Sequence, residues 1–91
     1  LEIMQACCQA IDLHEEFAQK GTAIAISDVG CGVICCKAAL QAASLNVFIN
    51  TKSMTDRQMA EDYNRKAFDM LEGYTIKADK IFERVAARFH E

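Results

Sequence analysis

Ser27 and Asp28 are the residues whose types and spacing most directly suggest chemistry. They lie in the stretch Ile26-Ser27-Asp28-Val29-Gly30-Cys31-Gly32, ahead of a long apolar segment. A carboxylate can accept or donate a proton at a reacting atom, and a neighbouring hydroxyl can orient that carboxylate. The same pair also begins many helices, with the serine as N-cap and the aspartate in the first turn, where it complements the helix dipole. Both interpretations predict that a helix begins at Ser27.

Two glycines and three polar residues mark the segment that follows. Gly30 and Gly32 weaken a helix, which indicates close approach by a ligand ring or by another helix. Lys37 either meets an anionic group or extends along the helix to the surface. Asn46 and Asn50, one helical turn apart, can hydrogen-bond a ligand or cap neighbouring helices. At this stage each residue keeps both interpretations.

The five cysteines do not form a recognisable disulfide or zinc pattern. They occur as an adjacent pair and a group of three within predicted helices, namely Cys7, Cys8, Cys31, Cys35 and Cys36. A structural zinc site needs about four ligands, and neither histidine lies near a cysteine in sequence. We therefore predict free, mostly buried thiols, a reducing compartment such as the cytoplasm, and no metal site.

The hydrophobic pattern predicts three helices and an all-α bundle. The chain has no proline and four glycines, so most of the signals for strands and tight turns are absent. Apolar residues recur at helical period in the segments 1–19, 29–50 and 55–91. Between the first two we expect a loop over 22–25, and the run Thr55 to Gln58 predicts a capping box at the third helix. The predicted fold is a bundle with a central apolar helix and a long C-terminal helix.

The middle segment is apolar almost all the way round, which is typical of a buried or a membrane-spanning helix. Its apolar run is long enough to span a bilayer, which needs about 20 residues. Lys37 and the amides Gln41, Asn46 and Asn50 would all be expensive in hydrocarbon, and so we favour a core helix and expect no membrane. The net charge is -3 and no basic run exceeds Arg65-Lys66, which argues against nucleic acid as a partner.

The third helix is too long for the other two as predicted. It would reach about 54 Å, well beyond its neighbours, so we expect it to pack on further chain or on a second copy in a dimer or higher oligomer. The first residue is Leu1, already inside an amphipathic pattern with no capping residue before it. This start predicts a fragment of a larger domain.

Two motifs resemble one family of folate enzymes. The sequence Ile26-Ser27-Asp28-Val29-Gly30 is similar to the ISDxG-like helix start, and Leu45-Asn46-Val47-Phe48-Ile49-Asn50 to the LNVxIN-like helix end, of the formiminotransferase-cyclodeaminase and methenyltetrahydrofolate cyclohydrolase family. The Lys52-Ser53 hinge and a long final helix fit the same pattern, so the resemblance covers residues 1 to 88. Many relatives have Gly-Asn before the first motif, whereas here Thr22 follows Gly21. The role of that asparagine is therefore not transferred.

The resemblance implies a function and a set of site residues. Family members close a formimino group onto a second folate nitrogen with loss of ammonia, or hydrolyse the methenyl bridge. It implies Asp28 and Ser27 as catalytic residues, and Gly30, Gly32, Lys37, Asn46 and Asn50 as substrate-binding residues, with Lys37 toward the folate glutamate tail and the asparagines toward the pterin. The folate is the substrate, so no separate cofactor is implied.

The resemblance also implies what is missing. Residues 1–91 would form the C-terminal half of the cyclodeaminase-cyclohydrolase domain, without its upstream Gly-rich segment, so we expect the isolated chain to be inactive. A second hypothesis keeps the helices but not the chemistry. On it, the chain is a non-catalytic helical oligomerisation or interaction module.

Overall fold

The computed structural model describes residues 1–20 and 23–89 and contains three α-helices in that part of the chain. They are α1 (Glu2–Lys20), α2 (Ala23–Lys52) and α3 (Arg57–Arg88), and no strand occurs among the described residues. The predicted all-α class, with a central apolar helix and a long C-terminal helix, is confirmed.

Helix α2 begins earlier than the sequence predicted. We expected a loop over 22–25 and Ser27 as N-cap, whereas the helix already begins at Ala23. Alanine is the best helix former and isoleucine is tolerated, so Ala23 to Ile26 can extend the helix at little cost. The prediction that Ser27 caps the helix and Asp28 lies in its first turn is therefore wrong. Gly21 and Thr22, where the first helix was expected to give way to the loop, lie outside the described residues.

Helix α3 is capped one residue later than predicted. Asp56, not Thr55, is the N-cap, and its carboxylate accepts a hydrogen bond from the Met59 amide at 3.1 Å. The guanidinium of Arg57 donates to the carbonyls of Thr51 at 2.8 Å and Met54 at 3.0 Å. These bonds satisfy carbonyls at the end of α2 and fix the short connection between the helices.

The three helices run up, down and up. Side chains of α2 and α3 meet in antiparallel order, as in the Phe48 and Phe68 rings, which stack with centroids 4.7 Å apart. Near the connection, the Thr51 hydroxyl donates to the Asn64 amide oxygen at 2.6 Å. Helix α1 is parallel to α3 and lies in the groove between the other two. The bundle measures 53 × 16 × 16 Å.

The lengths of α2 and α3 match better than predicted. With 30 and 32 residues, each spans about 45 to 48 Å, so α3 packs along nearly its whole length on α2. The expectation that α3 outreaches every neighbour was therefore wrong, because α2 is longer than its sequence signals indicated. Helix α1 has 19 residues, about 28 Å, and covers less of the bundle.

The core is a single cluster between the three helices. Its fully buried side chains of largest volume are Met4, Ile11, Ile26, Leu40, Ile81 and Val33. Helix α2 supplies three of these six from one face. The opposite face of α2 is exposed, although we predicted a helix buried all round. The span Ile26–Lys52 also has the length and composition of a membrane-crossing helix, and 17% of its most apolar window is buried.

Candidate functional site

Ser27 and Asp28 lie exposed in the second turn of α2. Ser27 lines a groove of about 280 Å³ between α2 and the end of α3, together with Gly30, Ile34, Phe82 and Phe89. Because the helix dipole acts within the first turn, it gives Asp28 less support than the sequence suggested. Asp28 follows Ser27 in sequence and is exposed, but it is not one of the residues that line this groove.

Gly30 and Gly32 are explained by helix packing. A Cβ added at Gly30 would lie 3.0 Å from Cγ1 of Val85, so α3 approaches α2 closely there. A Cβ at Gly32 would overlap the imidazole of His14, whose Nδ1 is 2.6 Å from the carbonyl oxygen of Ala10. Each glycine thus admits one neighbouring helix. Their predicted contact with substrate stays a prediction.

Asn46 and Asn50 lie at the other end of α2. Their exposed amides line a groove of about 380 Å³ between α2 and the start of α1, shared with Glu2, Ile3 and Val47. The groove combines apolar walls with two amides that can each donate and accept. It can therefore receive a flat ring with hydrogen-bonding edges.

Lys37 meets an acidic neighbour. Its Nζ lies 2.7 Å from Oδ1 of Asp79 on α3, and the two side chains are 30% and 55% exposed. The sequence left three choices for this lysine, and the structure selects an ion pair at the surface. A role toward a folate tail would require that pair to open.

A single copy of the chain does not bring these residues together. Asp28 and Asn46 are eighteen residues apart on one continuous helix. That spacing is five full turns and about 27 Å along the axis. The two residues lie on the same line of the α2 surface, but near opposite ends of the helix.

The sequence of the chain is similar to a known protein family and to a named relative. A model of the formiminotransferase-cyclodeaminase family matches residues 1–69. The chain is 38% identical over 88 residues to a methenyltetrahydrofolate cyclohydrolase from Methylorubrum extorquens, and the match covers 92% of this chain. The chain belongs to the formiminotransferase-cyclodeaminase family. The resemblance drawn from the two motifs is thereby confirmed.

The chain spans 40% of the length of that relative. The part matched by the family model includes α1, α2 and the first 13 residues of α3, and both motifs lie within it. Membership in the formiminotransferase-cyclodeaminase family is therefore carried by the helices that hold Asp28, Asn46 and Asn50.

A second polar cluster in this family member was missed by sequence reasoning. Lys77 on α3 donates to the carboxylate of Asp12 on α1 and lies 3.4 Å from Oε1 of Glu15. The hydroxyl of Tyr74 donates to the other oxygen of Asp12 at 3.0 Å. The i, i+3 spacings of Asp12 with Glu15 and of Tyr74 with Lys77 are visible in the sequence. They do not show which faces of α1 and α3 meet.

The ionisation of this cluster follows from its hydrogen bonds. The bond from Lys77 lowers the pKa of Asp12, and the bond to Asp12 raises the pKa of Lys77. The pKa of Tyr74 is raised because its neutral hydroxyl donates to the carboxylate. Both shifts favour the charged forms of Asp12 and Lys77. The cluster joins α1 to α3, and the carboxylate of Asp12 already accepts hydrogen bonds from Lys77 and Tyr74. We assign it a structural role.

The thiols occupy another groove, of about 450 Å³, between α1 and α2. Cys7, Cys35 and Cys36 line it with Ile3 and Ala39. Burial is the main cause of a raised pKa at Cys36, which disfavours the reactive thiolate. Among the described residues, no group of three or more His, Cys, Asp or Glu side chains could hold a metal ion.

Proposed function

We propose that this chain takes part in hydrolysis of the methenyl bridge of methenyltetrahydrofolate. The observation that carries the proposal is the 38% identity to a protein named for that cyclohydrolase activity, across 92% of the chain. The family model is described as formiminotransferase-cyclodeaminase, which favours cyclodeamination of formiminotetrahydrofolate as the second candidate. Both reactions act on the same folate carbon.

Both reactions need proton transfer at that carbon. In hydrolysis a C–O bond forms from water, one C–N bond breaks, and the released nitrogen takes a proton. In cyclodeamination a C–N bond forms and ammonia leaves, which also requires a proton. We assign this transfer to Asp28, whose side chain is exposed next to the groove-lining residue Ser27 in sequence, with Ser27 positioning it.

We assign binding of the pterin to the groove at the other end of α2, about 27 Å from Asp28 within one copy. Because the reacting carbon is joined to the pterin, the Asp28 that acts on it must then belong to another copy in a homo-oligomer. The amides of Asn46 and Asn50 match the alternating donors and acceptors of a pterin edge, and apolar walls beside them can cover the ring. We assign Lys37 to the glutamate tail of the folate, whose carboxylate would replace Asp79 as the ionic partner of the lysine. We further propose that the enzyme works in the cytoplasm and as a homo-oligomer.

The test is an absorbance assay of methenyltetrahydrofolate decay with the wild type, Asp28→Asn and Asp69→Asn, each measured as residues 1–91 alone and within a protein extended to the relative's full length. We expect activity only in the extended proteins. Asp69 is an exposed aspartate on α3, away from both grooves, and serves as the matched control. We expect Asp28→Asn to lose at least about 100-fold in rate, the usual contribution of a positioned acid or base, and Asp69→Asn to keep it. Full activity of a folded Asp28→Asn protein would contradict the assignment.

The same assay decides between this proposal and the interaction-module hypothesis. Formiminotetrahydrofolate replaces the substrate in a second series, because ammonia release separates deamination from hydrolysis. Failure of both the isolated chain and the extended protein to bind or convert either folate would favour the non-catalytic module.

A further inference from the structure

Two grooves meet at the start of α1, where that helix lies against the end of α2. The first is the groove of about 380 Å³ that we assign to the pterin, and the second, of about 370 Å³, extends toward Tyr63 on α3. Each has the volume of a small-molecule site. Both are lined by the apolar residues Leu1 and Val47 and by the polar residues Glu2 and Asn50. Glu2 and Asn50 therefore lie at the junction of the two grooves.

The carboxylate of Glu2 is available to a ligand. Glu2 is exposed in the first turn of α1, where the helix dipole favours a negative charge. It is the one charged side chain among the described residues that line either groove. Asp12 and Asp79 are each paired with a lysine, whereas no described residue forms a hydrogen bond or an ion pair with the Glu2 carboxylate. The junction thus combines a free carboxylate with the exposed amide of Asn50.

A carboxylate beside an amide suits one kind of ring edge. The edge of a 2-amino-4-oxopyrimidine carries two adjacent N–H donors, the amino group and the ring N3–H, followed by a carbonyl oxygen. A carboxylate can accept from both donors at once, as it does from the parallel N–H groups of a guanidinium. The Asn50 amide can donate to the carbonyl. Pterins and guanine share this edge, and a ring without the amino group loses one of the donors.

We propose that Glu2 determines specificity at this site by accepting hydrogen bonds from the amino group and N3–H of a 2-amino-4-oxopyrimidine ring. Asn50 binds the carbonyl of the same edge. For the pterin of a folate this assignment rests on the proposed function, and it adds a residue that neither family motif contains. Tyr63, 38% exposed, gives the second groove an aromatic wall on which a further ring can stack.

Glu2 should act on binding and not on the chemical step. The methenyl carbon bridges N5 and N10 of the folate, at the side of the pterin remote from the pyrimidine edge. A hydrogen bond at that edge is the same before and during the reaction, so it lowers KM without changing kcat. In the methenyltetrahydrofolate assay, Glu2→Gln should therefore raise KM at least about tenfold and keep kcat, because an amide cannot accept from both donors.

Ligand pairs that differ at the amino group test the assignment directly. The proteins are the wild type, Glu2→Gln and Glu72→Gln, each extended to the relative's full length. Glu72 is exposed on α3 and lines neither groove, so it is the matched control. Calorimetry compares tetrahydrofolate with its 2-desamino-2-methyl analogue, and guanosine with inosine, which lacks the amino group.

The wild type and Glu72→Gln should bind tetrahydrofolate at least about tenfold more tightly than its analogue, and Glu2→Gln should bind the two alike. A folded Glu2→Gln protein that keeps the preference overturns the role of Glu2 and leaves the folate function standing. Preference for guanosine over inosine that requires Glu2, without binding of any folate, supports recognition of the edge and overturns the proposed function. A wild-type protein that binds none of the four ligands overturns both.

Discussion

The two faces of α2 have nearly the same composition and opposite surroundings. On the inner face Val33 and Leu40 are fully buried, and the hydroxyl of Ser44 donates to the Gln41 carbonyl at 2.6 Å. On the opposite face of α2, called here the outer face, Leu45 and Ile49 are 62% and 67% exposed. The helix therefore has apolar residues for two packing surfaces, and the three-helix bundle uses one of them. The second surface lies beside the residues that the family motifs identify.

The largest expected effect is on the inner face. Leu40→Ala should cost about 2 to 5 kcal/mol in the free energy of unfolding, because it opens a cavity in a small core. Urea unfolding followed by circular dichroism measures this loss. Leu45→Ala should change the free energy by less than about 0.5 kcal/mol. Equal losses at both leucines would show that the two faces are not different.

Alanine substitutions of Gly30 in α2 and of Gly73 in α3 should change the free energy of unfolding in opposite directions. Gly30→Ala places a methyl group 3.0 Å from Val85, so we expect a net loss of about 1 kcal/mol after the gain in helix propensity. Gly73→Ala meets nothing within 4 Å and should gain about 1 kcal/mol. Thermal unfolding of both variants measures the difference. A stabilising Gly30→Ala substitution would argue against close packing of α3 on α2 at Gly30.

The smallest effect concerns the polar contact of α1 with α3, which has no counterpart on the outer face. Because Lys77 lowers the pKa of Asp12, this contact stabilises the fold above the ordinary carboxyl pKa of about 4 and is lost as the pH falls below it. Asp12→Asn should lower the melting temperature at pH 7 and change it little at pH 2. Asp62→Asn, which removes an exposed pair with Arg65, should be nearly neutral at both.

The sequence predicted the helices because their apolar periods are long and consistent. The stripe of α3 contained Ala67, Ala78, Ile81 and Val85, all of which are buried. Prediction from the sequence failed at the helix starts, because Ser27 and Thr55 are good N-cap residues but neighbouring residues decide where the helices begin. Local signals of this kind differ by about 1 kcal/mol, which packing easily overrides.

The relative positions of the candidate site residues were harder to predict from the sequence than the helices. Asp28, Asn46 and Asn50 were found through the family motifs, but their separation depends on α2 being one continuous helix. Contacts between helices, such as Lys37 with Asp79 and Asp12 with Tyr74, depend on how each helix is rotated in the bundle. No pattern within a single helix specifies that rotation.

The central claim is that Asp28 transfers a proton in a folate reaction of this family. The most direct measurement is the methenyltetrahydrofolate assay on Asp28→Asn beside the wild type and Asp69→Asn, each in a protein of the relative's full length that carries residues 1–91. We predict that Asp28→Asn is folded and at least about 100-fold slower than both controls. A folded Asp28→Asn protein with full activity would contradict the claim.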